Sequence, residues 1–109
     1  MKKFLLIYHS PKEAMEKFAS MSEEEVQGVM GVWMKWKETH VDAVVDFGNP
    51  VGPQHVTSVD GSKLQEDDVT GYGIVQAESL EAAQSLLKDH PVIMDNDGST
   101  VSVYPVHEM

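Results

Sequence analysis

The order in which strand patterns and helix patterns alternate is the strongest constraint on the fold of this chain. Strands are predicted over residues 3–9, 41–47, 55–59, 70–77 and 99–106, and helices over a short segment ending near residue 18, over 23–39 and over 79–88. The order is therefore β, α, β, β, β, α, β. In one domain of 109 residues, it predicts a ferredoxin-like α+β sandwich with two main helices on one face of a mainly antiparallel sheet.

The longest helix pattern shows how that sheet would be covered. Ser22 and Glu25 have the spacing of a capping box, which marks the start of a helix. Apolar side chains then recur at helical spacing, at Val26, Val29, Met30, Trp33 and Trp36. This stripe predicts that one face of the helix packs on the sheet. Trp36 is expected either to pack in the core or to form part of a ligand platform.

Three shorter patterns complete the predicted secondary structure. Ser10, followed by Pro11, is expected to cap the short helix. Residues 62–68 contain three acidic side chains and are expected to form a solvated loop. His90 and Pro91 are expected to end the last helix, where the partial negative charge of the helix C-terminus would favour a protonated histidine.

Composition excludes several classes of function. With 8 Lys and Arg against 18 Asp and Glu, the formal net charge is −10, so a nucleic-acid backbone would be repelled. No apolar run is long enough to span a membrane. The chain has no cysteine, which excludes disulfides and Cys-based metal sites and fits a cytoplasmic protein. Its five histidines are scattered, so we expect no metal and no cofactor.

Several segments together resemble a known family. They are residues 3–8, the long helix carrying Met30, Trp33 and Trp36, residues 46–50, residues 71–74, His90-Pro91 and residues 101–106. In this order and spacing they resemble the YCII-related family, which includes the DGPF-type proteins. The resemblance covers nearly the whole chain. It implies a dimeric ferredoxin-like α+β barrel, with a cleft between the helices, the sheet and the partner subunit.

The resemblance also implies a candidate catalytic pair, from which this sequence departs. Some family members carry a histidine on the first long helix and an aspartate just before a helix-ending proline. Here Pro91 is preceded by His90 and then Asp89, and the corresponding part of the long helix, residues 30–34, contains no histidine. The Asp-Gly-Pro-Phe signature is replaced by the sequence of residues 60–63.

Six residues are the candidates for a site at the cleft. His90 and Asp89 are the candidate catalytic residues, and His9, Ser10, Trp36 and Tyr72 are the candidate ligand-binding residues. A histidine exchanges protons near neutral pH and would serve as a general base. The alternative for His90 is a purely structural role at the helix end. Tyr72 lies between two glycines, which either leave room for a ligand or permit close contact within the sheet.

Two functions remain open from the sequence. The first is a homodimer that binds a small molecule in an intersubunit cleft, with or without acid–base chemistry by His90. The second is a non-catalytic dimerisation or protein-interaction module. An enclosed cavity at the cleft would favour the first function, and an open apolar surface patch would favour the second.

Overall fold

The structure is a computed structural model that describes residues 1–95 and 97–109. The strands in this part of the chain are β1 (Lys2–His9), β2 (Val44–Asp46), β3 (Gln54–Ser58), β4 (Gly61–Gln65), β5 (Val69–Ala77) and β6 (Thr100–Pro105). The helices are α1 (Lys12–Ala19), α2 (Glu23–Thr39), α3 (Leu80–Leu86) and α4 (Pro91–Met94). None of these helices is long and apolar enough to cross a membrane.

Four strands form the main sheet in the order β2-β5-β1-β6, and every neighbouring pair is antiparallel. This is the strand order of a ferredoxin-like sandwich, with the two central strands each followed by a helical segment. The predicted α+β class is therefore confirmed. Among the described residues, strands β3 and β4 pair only with each other and form a separate hairpin.

Alternation along β1 divides the sheet into two faces. Phe4, Leu6 and Tyr8 are buried, and with side chains of α2 and α3 they form the hydrophobic core on what we call the inner face. Their neighbours Leu5 and Ile7 lie on the opposite, outer face, where they are half-buried. Successive strand residues point to opposite sides of a sheet, so one strand serves both faces.

The start of α2 forms as the sequence predicts. The Ser22 hydroxyl accepts a hydrogen bond from the Glu25 amide at 3.2 Å, and the Glu25 carboxylate accepts one from the Ser22 amide at 3.3 Å. Both bonds satisfy amide groups that have no partner within the helix. Four turns later Trp36 packs in the core.

The predicted cap at Ser10 is wrong. Pro11 is the residue before α1, and no side chain in the described part of the chain caps this helix. The Ser10 hydroxyl instead lies 2.9 Å from the hydroxyl of Ser99, and the Ser10 amide donates to the carbonyl of Asp68. The Ser10 hydroxyl, which would form the cap, is therefore engaged in a tertiary contact at the end of the sheet.

The polar segment predicted as a loop is partly a strand. Residues 61–65 form β4 and pair with β3, and only residues 66–68 lack regular structure. Gly61 has a φ angle of +114°, which glycine adopts readily and which helps turn the chain back on itself. Because the hairpin is largely exposed, its polar composition does not distinguish a strand from a loop.

Two element boundaries also differ from the prediction. Strand β2 begins at Val44, because residues 41–43 form a turn in which the Ala43 and Val44 amides donate to the His40 carbonyl. Pro91 does not end a helix but begins α4. Proline suits the first turn of a helix, since it needs no hydrogen-bond partner for an amide there.

Candidate functional site

A cavity of about 520 Å³ lies at the end of the sheet, between α1, α2, α4 and the segment that follows β2. Its walls are largely apolar and include Met15, Phe18, Val29, Trp33 and Phe47. Ligand pockets in proteins have volumes of roughly 300 to 1,000 Å³ and mostly apolar walls with a few polar groups. The cavity therefore has the size and lining of a small-molecule site.

Tyr8 lines this cavity, and its hydroxyl group lies next to His90, which is not part of the lining. The His90 Nδ1 accepts a hydrogen bond from the Val92 amide at 3.1 Å, and its Nε2 lies 3.3 Å from the Tyr8 hydroxyl oxygen. Because Nδ1 is an acceptor, the neutral ring carries its hydrogen on Nε2 and donates it to Tyr8. The phenolic hydrogen of Tyr8 then has no acceptor within residues 1–95 and 97–109.

Three aromatic rings pack around His90. Its ring centroid lies 4.5 Å from that of Trp36, 4.7 Å from that of Trp33 and 5.1 Å from that of Tyr8, and its side chain is not exposed to solvent. This burial lowers the pKa of His90 to about 4, against the opposing effect of the Asp89 charge. His90 is therefore neutral at pH 7.

The electrostatic expectation for His90 is thus corrected. The sequence placed it at the C-terminal end of α3, where a protonated ring would be favoured. In the structure α3 ends at Leu86, and His90 is instead the N-terminal cap of α4, with its Nδ1 accepting a hydrogen bond from the Val92 amide. A helix N-terminus favours an acceptor, which only the unprotonated Nδ1 provides.

The side chains of Asp89 and His90 are not hydrogen-bonded to each other in the described residues. The two carboxylate oxygens of Asp89 lie 3.0 and 3.1 Å from Nε2 of His40, the residue that follows α2. The Asp89 side chain is 56% exposed and outside the cavity. The adjacent candidate catalytic residues therefore have different partners and different environments.

The four candidate ligand-binding residues are also separated. Ser10 lines the cavity, whereas Trp36 is buried in the core and donates its indole N–H to the Leu86 carbonyl at 3.0 Å. His9 bonds to side chains on the outer face. Tyr72 borders the cavity. It pairs with Ile7 in the β1–β5 ladder, so its position belongs to the outer face, whereas the buried Gly71 and Gly73 on either side of it belong to the inner face.

Tyr8 is the central residue that sequence reasoning missed. Gly71 and Gly73 make room for its ring: a Cβ atom at Gly71 would lie 3.2 Å from the Tyr8 ring, and one at Gly73 would lie 3.1 Å from the Tyr8 hydroxyl. The two glycines flanking Tyr72 were the available signal. They point to a large partner on the neighbouring strand, which only the register of β1 against β5 identifies.

Comparison with known proteins supports the fold. No protein-family model and no curated protein matches the chain. Among solved structures, the chain is similar to 5-chloro-2-hydroxyhydroquinone dehydrochlorinase from Burkholderia phenoliruptrix, determined in complex with 2,5-dihydroxybenzoquinone. The two share 14% sequence identity with a TM-score of 0.55, over 92% of this chain and 90% of that chain. This likeness supports the broad fold relationship that the YCII resemblance implies.

Proposed function

We propose that this chain is a cytoplasmic, YCII-like homodimer that binds a compact and largely apolar small molecule in the cavity beside Tyr8. The observation that carries the proposal is the pairing of apolar walls with one oriented phenol. His90 donates to the Tyr8 hydroxyl, and in this proposal the phenolic hydrogen, which has no acceptor among the described residues, is donated to the ligand.

The chemistry of the ligand follows from this arrangement. Burial raises the pKa of Tyr8 to about 12, so its hydroxyl stays protonated and acts as a hydrogen-bond donor. The matching ligand is an uncharged ring compound with a carbonyl or similar oxygen acceptor. The structural neighbour was solved with 2,5-dihydroxybenzoquinone, a ring compound with carbonyl groups. Uncharged quinones are therefore the first compounds to test.

In this proposal His90 acts through Tyr8. Its ring is fully buried, so it orients the phenol and does not touch the ligand itself. Any chemistry at the site would begin with polarisation of the bound carbonyl oxygen by the Tyr8 hydroxyl. Asp89 is assigned the separate task of holding His40 at the end of α2.

Ligand binding is tested by titrating uncharged quinones while recording tryptophan fluorescence, because Trp33 lines the cavity. We expect saturable quenching by the parent protein and weaker binding by Tyr8→Phe, since that variant lacks the donor. Tyr104→Phe removes a phenol that does not line the cavity and serves as the matched control. Equal affinity of Tyr8→Phe and the parent would contradict the role of Tyr8.

The homodimer is proposed from the outer face of the sheet. Leu5, Ile7 and Ile74 lie together there, while α2 and α3 pack against the other face. A second copy would remove these apolar side chains from water. Analytical ultracentrifugation is expected to find a dimer for the parent and a monomer for Ile7→Glu. A parent protein that is monomeric at high micromolar concentration would reject the dimer.

The interaction-module alternative has its own prediction. It expects a stable dimer whose Tyr8 cavity binds none of the tested compounds. Saturable, Tyr8-dependent binding would reject it.

A further inference from the structure

Three side chains form a connected chain on the outer face of the sheet, away from the Tyr8 cavity. Asp68 Oδ1 lies 2.8 Å from His9 Nδ1, and His9 Nε2 lies 2.9 Å from the hydroxyl oxygen of Ser102. We call this arrangement the outer triad. It uses both ring nitrogens of one histidine, one toward a carboxylate and the other toward a hydroxyl.

The backbone brings the three residues together. In the β1–β6 ladder Ser102 pairs with Ile7, so its side chain lies on the same face as that of His9, one diagonal step away. Asp68 immediately precedes β5, and its carbonyl accepts a hydrogen bond from the Ser10 amide at 2.9 Å. Backbone hydrogen bonds therefore position all three residues, which come from distant parts of the sequence, in addition to the bonds between their side chains.

The proton positions follow from the partners. Ionised Asp68 can only accept, so His9 Nδ1 carries a hydrogen and the neutral ring leaves Nε2 as an acceptor. The hydrogen bond from His9 lowers the pKa of Asp68, which keeps this carboxylate ionised. Nε2 is then able to accept the hydroxyl hydrogen of Ser102.

We propose that the outer triad is an esterase site, in which Ser102 is the nucleophile, His9 is the general base and Asp68 orients the imidazole. The order carboxylate, imidazole, hydroxyl is that of the Ser-His-Asp arrangement, which is recognised by geometry and roles and not by position in the chain. The site is independent of the proposed ligand cavity, and neither depends on the other.

A backbone donor for the developing oxyanion lies beside Ser102. The Val106 amide donates to the Lys3 carbonyl, and antiparallel ladders alternate hydrogen-bonded and non-hydrogen-bonded pairs. Counted along the β1–β6 register, the amide of Ser102 faces Ile7, whereas that of Val103 points away from β1. Since β6 is an edge strand of the sheet, the Val103 amide is available next to the nucleophile.

Exposure and charge define the substrate class. The side chains of His9 and Asp68 are 22% and 62% exposed in the single chain, so the triad is open to small molecules in the monomer. Ser102 pairs with Ile7, which the proposed dimer would cover, so the labelling described below is carried out at nanomolar protein, which favours the monomer, as well as at micromolar protein. The formal charge of −10 disfavours anionic substrates. Small, uncharged or cationic carboxylic esters are therefore the substrates that this site would take.

The reaction balances with water as the only co-reactant. The Ser102 oxygen forms a bond to the ester carbonyl carbon while its proton passes to His9 Nε2. The carbon–oxygen bond to the alcohol then breaks, and the alcohol takes the proton from His9. Water, deprotonated by His9, attacks the acyl-enzyme, and the released Ser102 oxygen recovers the proton as the carboxylic acid departs.

Covalent labelling separates this proposal from a purely structural hydrogen-bond network. An uncharged alkyl fluorophosphonate reacts with an activated serine, forming an oxygen–phosphorus bond and releasing fluoride. We expect the parent to gain one adduct, mapped to Ser102 by peptide mass spectrometry. Labelling should be absent in Ser102→Ala and unchanged in Ser62→Ala, a control that loses a serine hydroxyl bonded to Thr57 at 2.7 Å.

The supporting residues give a second readout. His9→Ala should slow labelling about 100-fold, in the range of a lost general base. Asp68→Asn should slow it while circular dichroism and thermal unfolding show an intact fold. The proposal would be overturned if the parent gained no adduct at Ser102 at nanomolar and also at micromolar protein concentration. It would also be overturned if His9→Ala were labelled at the same rate as the parent.

Discussion

Tyr8 and His9 are neighbours in β1, yet they belong to two opposite faces of the sheet with different chemistry. On the inner face, Tyr8 meets a histidine that is fully buried between aromatic rings. On the outer face, His9 is partly exposed and lies between a carboxylate and a hydroxyl. The same side-chain type is thus placed in two environments by the alternation of a single strand.

The difference shows how burial decides what a histidine does. His90 loses its hydration, keeps one tautomer through the Val92 amide and works as a fixed neutral donor. His9 has a carboxylate to stabilise an imidazolium ion and a hydroxyl from which to take a proton. The inner face therefore suits recognition of a ligand, and the outer face suits proton transfer.

The largest contrast between the two faces should be in stability. His90→Ala leaves a cavity among Trp33, Trp36 and Tyr8 and removes the cap of α4, so we expect it to lower the free energy of unfolding by about 3 kcal/mol. His9→Ala should cost less than about 1 kcal/mol, because its side chain is partly exposed. Urea denaturation of both variants measures the difference, and equal losses would contradict the contrast.

The pH dependence of stability should come mainly from the inner face. The folded pKa of His90, about 4, is lower than the ordinary value of 6.5, so between these values the unfolded chain binds the proton and the folded chain does not. The stabilisation is fully present above about pH 6.5 and is lost as the pH falls toward 4, which amounts to about 3 kcal/mol.

Urea denaturation at a series of pH values between 7 and 4 measures this loss. His90→Asn is the matched control, because asparagine still caps a helix but does not titrate. Its unfolding free energy should fall by about 3 kcal/mol less than that of the parent over the same range. Parallel pH profiles for the two proteins would show that His90 is not the group responsible.

A smaller contrast is expected between a glycine of the inner face and one on the surface of α2. Gly73→Ala places a Cβ atom 3.1 Å from the Tyr8 hydroxyl and 3.4 Å from the Phe47 carbonyl oxygen, so it should destabilise the fold by roughly 1 kcal/mol and weaken ligand binding. Gly28→Ala meets no atom within 4 Å and should stabilise α2 by about 1 kcal/mol.

Thermal unfolding of the two glycine variants gives the comparison directly. A rise in the melting temperature for Gly28→Ala with a fall for Gly73→Ala is the expected result. Destabilisation by Gly28→Ala would instead indicate that another chain packs closely against that part of α2.

Local signals predicted the elements of the fold better than they predicted the site. The capping box at Ser22 and the alternation of strands and helices are contained in short stretches of sequence, and both are found in the structure. The apolar stripe of α2 is found in part, because Trp36 lies in the core and Trp33 packs against it, whereas Met30 is 49% exposed. The role of Pro91 was mistaken because a proline is compatible with both the end of one helix and the start of the next.

The parts that escaped prediction depend on register between distant segments. Tyr8 became central because β1 pairs with β5 so that Gly71 and Gly73 lie beside its ring. Ser102 and Asp68 are brought to His9 by two further pairings of chain segments far apart in sequence. No local pattern fixes those registers, although the pair of glycines signals that something large lies opposite.

The most direct test of the contrast between the two faces is an NMR titration of the imidazole nitrogens of His90 in ¹⁵N-labelled protein, assigned with His90→Asn. A buried ring held by the Val92 amide should remain neutral, with its hydrogen on Nε2, from pH 8 down to near pH 4. A ring that takes up a proton near pH 6.5, or that carries its hydrogen on Nδ1 at neutral pH, would contradict the inner-face arrangement and with it the orientation of Tyr8.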